Sequence, residues 1–306
     1  MSELLALVDL GSNAVRFLLA RVKPARSFQL LHEHRAQTRL AAGRGRRLSE
    51  RSVQATVEAT RRFLRRADAA GPLRIVAVAT AAVRDAHNAH RLMDGMRRVA
   101  GVDIQVLDWQ EEARLGAAAA IASLRARDAL VVDVGGGSVQ ATRVHDGAIT
   151  PLASAPLGAV RATRLFLRHD PPSPSEIRAL RRQVREALGT IASGLARDTV
   201  LITLGGTART VARMHLSARN RPRALNGLRL DRETVGVLCS RLHGMPVRRR
   251  RRLPGLRRDR ADVIVGGVVV LDELMDLTGL PALTVCEWGV RHGLLLRETF
   301  GIERSV

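Results

Sequence analysis

Apolar positions along this chain fall into short β-branched runs separated by longer stretches of helical periodicity. Leu4–Leu10 is an almost continuous apolar run, and 14–22 and 27–34 mix or alternate apolar and polar residues at strand length. The spacing of Val53, Val57, Phe63 and Leu64 predicts a helix from an N-cap at Ser49 to about Asp68. Gly71-Pro72 then breaks the chain before a strand over Arg74–Ala79. A small-residue turn at Thr80–Asp85 leads to a short helix over Ala89–Val99, a strand over Asp103–Leu107 and an alanine-rich helix over Trp109–Leu124. The order βββαβαβα is that of an α/β fold with a mixed sheet.

The order restarts at Ala129. A strand, a glycine loop, a strand over Val139–His145, a turn at Asp146-Gly147 and a strand over Ala148–Ser154 precede helices at Ala159–Leu167 and Ser175–Ala196. A strand over Thr199–Leu204 follows, then helices at Gly206–His215, Asp231–His243 and Asp262–Leu277, a strand at Ala282–Val285 and a closing helix at Val290–Glu298. The pattern predicts two domains, 1–124 and 125–306, with the last helix free to pack back on the first.

Three apolar runs end in loops of small residues: Val8-Asp9-Leu10-Gly11-Ser12-Asn13, Val132-Asp133-Val134-Gly135-Gly136-Gly137-Ser138, and Thr203-Leu204-Gly205-Gly206-Thr207. One such loop reads equally as a tight turn leaving a core strand. Glycine also lets backbone N–H groups approach an anion, and a carboxylate beside the loop can hold magnesium against phosphate oxygens. Two copies carry Val-Asp-apolar-Gly, which points to two similar halves facing one anionic ligand.

Composition narrows the partner. Net charge is +21, and Lys23 is the only lysine, so the positive field is arginine, the side chain that grips phosphate in a bidentate fork. Arginine in place of lysine and the absence of tyrosine also fit a GC-rich coding sequence. Aromatic content of 2% leaves little for base stacking, which disfavours nucleic acid. No apolar run approaches the roughly 20 residues of a membrane span, and Asp9 and Gly11 interrupt any secretory leader, so a cytoplasmic protein is expected. Cys239 and Cys286 lack metal-ligand spacing and read as buried thiols; the scattered histidines read as surface residues.

Glu111-Glu112 opens the helix that leads out of the first half. Such a pair either complements the helix dipole or places one carboxylate as general base on a water. Arg84 ends a strand-turn segment and reads either as a surface pair with Asp85 or as a phosphate clamp. The run Arg248–Arg252 reads as a solvated loop between helices or as an electrostatic funnel for a polyanion.

These segments, with Ala79-Thr80-Ala81-Ala82-Val83-Arg84-Asp85-Ala86, Glu111-Glu112-Ala113-Arg114-Leu115, Pro156-Leu157-Gly158-Ala159-Val160-Arg161, Gly205-Gly206-Thr207-Ala208-Arg209 and Arg260-Ala261-Asp262-Val263-Ile264, resemble the exopolyphosphatase / guanosine pentaphosphate phosphatase family, in its short two-domain form. The resemblance covers essentially the whole chain. It implies two ribonuclease-H-like domains of the actin and sugar-kinase superfamily, with mixed sheets flanking a central cleft. It also implies magnesium-dependent hydrolysis of terminal phosphoanhydride bonds in inorganic polyphosphate or guanosine pentaphosphate. By the same resemblance, Glu112 and Asp133 are the catalytic carboxylates, the first as general base. Asp9, Asp133 and Gln140 would serve the metal. Gly11, Ser12, Asn13, Arg84, Gly135, Gly136, Gly137, Ser138, Gly205, Gly206 and Thr207 would line the phosphate path.

One position departs. The family continues its central loop as Gly-Gly-Gly-Ser-Thr-Glu, whereas this chain has Gly137-Ser138-Val139-Gln140. A carboxamide carries no charge, so magnesium should bind more weakly. That leaves a second reading, a catalytically weak or inactive sensor that binds polyphosphate or a guanosine tetra- or pentaphosphate. A sugar or acetate kinase is a distant third, since nothing marks an adenosine pocket. Whether two chains pair is left open by the sequence.

Overall fold

The computed structural model describes residues 2–23, 27–43, 45–68, 73–196, 198–218 and 224–301; the Gly71-Pro72 break lies outside them. Contacts divide the chain into two compact units, Met1–Leu115 with Val290–Val306, and Gly116–Gly289. The sequence-based boundary at 124/125 lies at the end of the helix Trp109–Leu124, and the division by contacts falls inside that helix.

The first unit opens with β1 (Glu3–Leu10), β2 (Val15–Lys23) and β3 (Ser27–Ala36), an antiparallel meander. It continues through α1 (Glu50–Asp68), β4 (Leu73–Ala79), α2 (Ala81–Arg84), α3 (Ala89–Gly95) with a π-helical turn over Met96–Ala100, β5 (Ile104–Val106) and α4 (Trp109–Leu124). The sheet runs β3-β2-β1-β4-β5, with β4 parallel to both β1 and β5. Side chains alternate across a strand, so a sheet covered on both faces needs apolar residues at every position. In β1, Ala6, Val8 and Leu10 pack with Val53, Val57, Phe63, Leu92 and Met96 of the α1/α3 layer. Leu5 and Leu7 point to the other face.

The second unit repeats the plan: β6 (Ala129–Val134), β7 (Val139–His145) and β8 (Ala148–Ala155), then α5 (Ala159–Phe166), α6 (Pro174–Leu188), β9 (Val200–Leu204), α7 (Gly205–Ala218), β10 (Arg229–Asp231), α8 (Arg232–His243), α9 (Val247–Arg250), α10 (Ile264–Thr278) and β11 (Ala282–Val285). Its sheet runs β10-β11-β9-β6-β7-β8. Read from β8 to β11, this is the first sheet's order over again, with the antiparallel β10 added at its edge. Leu130, Val132 and Val134 face a core shared with α6 and α10, and Ala129 and Val131 face Ala117 and Ala120 of α4. The chain ends in α11 (Val290–Phe300), whose Leu294 and Leu295 cover Leu5, Leu7 and Leu18 on the second face of the first sheet.

Several expectations change. Thr80–Asp85 is not a turn but the helical turn α2, because the extended Thr80 offers its carbonyl to the N–H groups of Val83 (2.9 Å) and Arg84 (3.1 Å). The helix expected to reach Ala196 stops at Leu188, where Gly189 and the β-branched Thr190 and Ile191 leave a 3-10 turn. Arg248–Arg252 is not wholly a solvated loop. Arg248, Arg249 and Arg250 belong to α9, and Arg250 is buried, donating to Asp170 (2.8 Å) and to the Leu242 carbonyl (3.4 Å). His292 is not a surface residue; it is buried with its Nε2 3.1 Å from Glu33. Cys239 and Cys286 are free, buried thiols as expected.

Candidate active site

In the first unit, β1 delivers Asp9 to its carboxyl end on the face that α4 and α11 cover. The carboxylate is buried and accepts from Arg16 Nη1 at 3.3 Å, its cross-strand neighbour on β2. Arg291 of α11 is buried nearby, donating to the Phe17 carbonyl (3.0 Å). Burial holds its pKa below the ordinary arginine value, as does Arg16, while Glu33 and Asp9 oppose the shift. The loop Gly11–Asn13 is pinned by its carbonyls: Ser12 accepts from Ala41 N–H (2.9 Å) and Asn13 from Arg39 N–H (3.1 Å). That leaves Asn13 Nδ2 buried with no hydrogen-bond partner among the described residues.

Helix α4 separates its two glutamates. Asp108 caps the helix, accepting from Glu111 N–H at 2.7 Å. Glu111 turns to Arg297 of α11 (2.7 Å), a structural pairing. Glu112 turns the other way, is buried, and accepts from Arg84 Nη1 at 3.0 Å; the same nitrogen donates to the Leu107 carbonyl at 2.9 Å. Arg84 is therefore paired with Glu112 rather than with Asp85. The single turn of α2 is what brings it there.

In the second unit the loops after β6 and β9 lie at the carboxyl ends of adjacent parallel strands. This is where α/β sheets bind ligands. Gly135 N–H donates to the Ser138 carbonyl (3.0 Å), and the Gly135 and Gly136 carbonyls accept from Ala159 and Val160 N–H of α5, each at 2.9 Å. A Cβ on Gly158 would lie 2.5 Å from Ser138 N, so glycine is required for this close approach. Gly205 has φ +88°, and a Cβ there would come 2.6 Å from Asp133 Oδ1. Gly205, Gly206 and Thr207 form the first turn of α7, whose leading N–H groups have no intrahelical partner and suit an anion. Thr207 Oγ1 is buried with no hydrogen-bond partner among the described residues.

Gln140 is buried directly across from Asp133, and its Nε2 lies 3.3 Å from Ser138 Oγ. It occupies the place in the second hairpin that Arg16 occupies in the first, since each faces the strand-end aspartate in register. Sequence reasoning did not single out Arg16, because its meaning depends on hairpin register. Nor did it assign Arg260, whose guanidinium fills the space where a Gly206 side chain would stand. Its signal was present in the stretch Arg260–Ile264, quoted above for its resemblance alone.

Residues 18–300 match the Ppx/GppA phosphatase family. The chain belongs to this family. Exopolyphosphatase 2 of Mycobacterium tuberculosis (strain CDC 1551 / Oshkosh) is 32% identical over 314 residues, covering 95% of this chain and 97% of that protein. The crystal structure of the Aquifex aeolicus Ppx/GppA family member superposes with a TM-score of 0.82 at 25% identity, covering all of both chains. That of an exopolyphosphatase from Cytophaga hutchinsonii reaches a TM-score of 0.91 over 98% of this chain and 99% of that one; at 22% identity it speaks for the fold alone. The α/β class and the duplicated mixed sheets of the actin-like type accord with the expectation from sequence. Among the described residues, no helix is long and apolar enough to cross a membrane.

Proposed function

We propose that this Ppx/GppA phosphatase removes terminal phosphate from inorganic polyphosphate. The observation that carries the reading is the cradle around Asp133: two glycine loops, a helix N-terminus and an unsatisfied Thr207 hydroxyl, all at the ends of adjacent strands. Backbone N–H groups fixed in such a place neutralise charge on phosphoryl oxygens without reorganising. The relatives named exopolyphosphatase support the same substrate. Polyphosphate is preferred here over guanosine pentaphosphate because an arginine-rich field with 2% aromatic residues matches a chain of anions better than a base.

Glu112 is the general base. It takes a proton from the attacking water as the water oxygen bonds to the terminal phosphorus and the bridging P–O bond breaks, leaving a chain one phosphate shorter. Arg84 holds the carboxylate in orientation through the 3.0 Å contact. The leading N–H groups of α7 are suited to donate to phosphate oxygens.

Among the described residues, no cluster of three or more histidine, cysteine or acidic side chains forms a metal cage. Magnesium does not ask for one, since it is commonly held by one or two carboxylates, substrate phosphates and waters. The donor set of the second unit fits: Asp133 ends a strand beside a glycine loop, and only the lack of a Cβ at Gly205 leaves room beside its Oδ1. Asp133 and Gln140, opposite each other in the second unit, would hold the ion, which when bound would polarise the scissile phosphoryl group.

The test is phosphate release from long-chain polyphosphate across a magnesium titration, with Glu112→Gln alongside. Release should saturate with magnesium and fall by about 10²–10⁴-fold in the variant. Release that is independent of Glu112 would remove the base assignment.

Gln140 favours a second reading, a polyphosphate-binding sensor of low activity, because a neutral amide faces Asp133 where a second carboxylate would strengthen a cation site. Polyphosphate binding without release at any magnesium concentration would select it.

A further inference from the structure

A concave site lies wholly within the first unit, between the edge strand β3 and helix α1, with a volume of about 660 Å³. Pockets that enclose small ligands span roughly 300–1,000 Å³. Its floor is apolar, formed by Leu19 and Phe63 with the small residues Ala59 and Ala67. An aromatic column supports that floor: Phe17 stacks on Phe63 with ring centroids 4.4 Å apart, and His34 lies over Phe17 at 6.1 Å. The β2/β3 register sets His32 opposite Leu19 and His34 opposite Phe17, so both imidazoles border the same face.

The opposing wall is cationic. Arg62, Arg65 and Arg66 stand on α1 at helical spacing, all exposed and all lining the cavity. Arg62 shares Glu58 with Arg61, at 3.3 Å. Arg65 is felt by Glu58 only through space, and Arg66 has no ion pair among the described residues. Glu33 is the acidic side chain among the lining residues, and His292 (3.1 Å) and Arg291 (3.6 Å) of α11 engage its carboxylate. The cavity thus combines a cationic wall with a ring-bordered apolar floor. An inorganic anion would use the first and leave the second empty.

We propose that this groove binds a nucleoside di- or triphosphate, with phosphates on Arg62, Arg65 and Arg66 and the base against His34 and the Phe63 floor. Guanidinium–phosphate bonds supply the charge term, and a planar ring on an aromatic surface supplies the other. None of these residues belongs to the candidate active site, so the proposal stands or falls separately from the hydrolase reading.

The experiment is calorimetric titration of the full chain with ATP and GTP in EDTA, with inorganic tripolyphosphate as comparator, repeated on Arg65→Glu/Arg66→Glu and on His34→Ala. Circular dichroism confirms the fold of each variant. The expected result is nucleotide binding that weakens by about tenfold or more in the double arginine variant, with tripolyphosphate at the groove much weaker than either nucleotide. Base-proton saturation transfer should drop in His34→Ala, and phosphate release from polyphosphate should be unchanged in the double variant. Nucleotide affinity indifferent to Arg65→Glu/Arg66→Glu would overturn the proposal. So would tripolyphosphate losing as much affinity as the nucleotides, or phosphate release falling in parallel, which would make the groove part of the substrate path.

Discussion

Asp133 and Gln140 face each other across β6 and β7, and the identity of the second decides how much negative charge the cradle holds. A glutamate there would put two carboxylates directly opposite, a destabilising pair in the absence of a cation. A bound divalent ion would reverse that cost. Gln140→Glu is therefore expected to melt lower than the parent in EDTA and to gain more from added magnesium, a crossover that thermal denaturation would reveal. Equal magnesium response in both proteins would remove Gln140 from the metal assignment. Cys239 offers a different kind of check. Burial, with Asp272 beside it, pushes its thiol up to about 12, and burial also raises that of Cys286. Since the thiolate is the reactive form, neither should react with a thiol reagent at pH 8 until the chain is unfolded. At this scale the sequence made residue types legible and partnerships illegible. Asp9, Glu112 and Asp133 stood out by motif, but the bond from Arg84 to Glu112 spans 28 positions and exists only once α2 and α4 are folded.

Helix α6 shows how a short motif sets an element's limits and its response to acid. Ser173 Oγ accepts from Glu176 N–H at 3.3 Å, and Glu176 Oε2 accepts from Ser173 N–H at 2.9 Å, a reciprocal capping box with Pro174 in the first turn. Burial alone would raise the Glu176 pKa. The hydrogen bonds from Ser173 N–H, His169 and Arg168 N–H outweigh it and bring the carboxyl to about 2, from an ordinary value of 4.5. A folded-state pKa below the unfolded one stabilises the fold above the unfolded value, and that contribution is lost as pH falls through the window from 4.5 to about 2. Glu176→Gln should flatten the dependence of melting temperature on pH in that window and leave a smaller difference between acid and neutral pH. A parallel slope in the variant would mean that other carboxylates govern acid unfolding. The cap was legible in Ser173-Pro174-Ser175-Glu176, whereas the helix's end was not, because apolar periodicity continues past Leu188 while Gly189 and Thr190 no longer propagate it. The three-residue β10 was equally hidden. Its place is set by pairing with β11, some fifty residues onward, and not by its own composition.

The whole molecule is one sheet plan used twice, and that much was readable, since both halves begin with strand, aspartate, small-residue loop and hairpin. The sequence allowed the closing helix to pack back on the first domain but did not decide it. An amphipathic pattern announces that a helix will be covered and is silent about what covers it. In the structure, α11 returns to the first sheet, where Gly293 admits the Leu115 carbonyl of α4 and Leu295 is fully buried. Leu295→Ala should cost about 2–5 kcal/mol, and hydrogen exchange should show the loss in β1 and β2 while β6 and β9 keep their protection. Uniform loss across both sheets would instead mark a single cooperative unit. The return of α11 also orders events at the ribosome. The second unit is contiguous and can close as soon as residue 289 has emerged, whereas the first, although begun earlier, stays open until its last helix is made. Asp9 and Glu112 are translated early and framed late, so a chain interrupted anywhere before Val290 carries both carboxylates without the helix that completes the core of their unit.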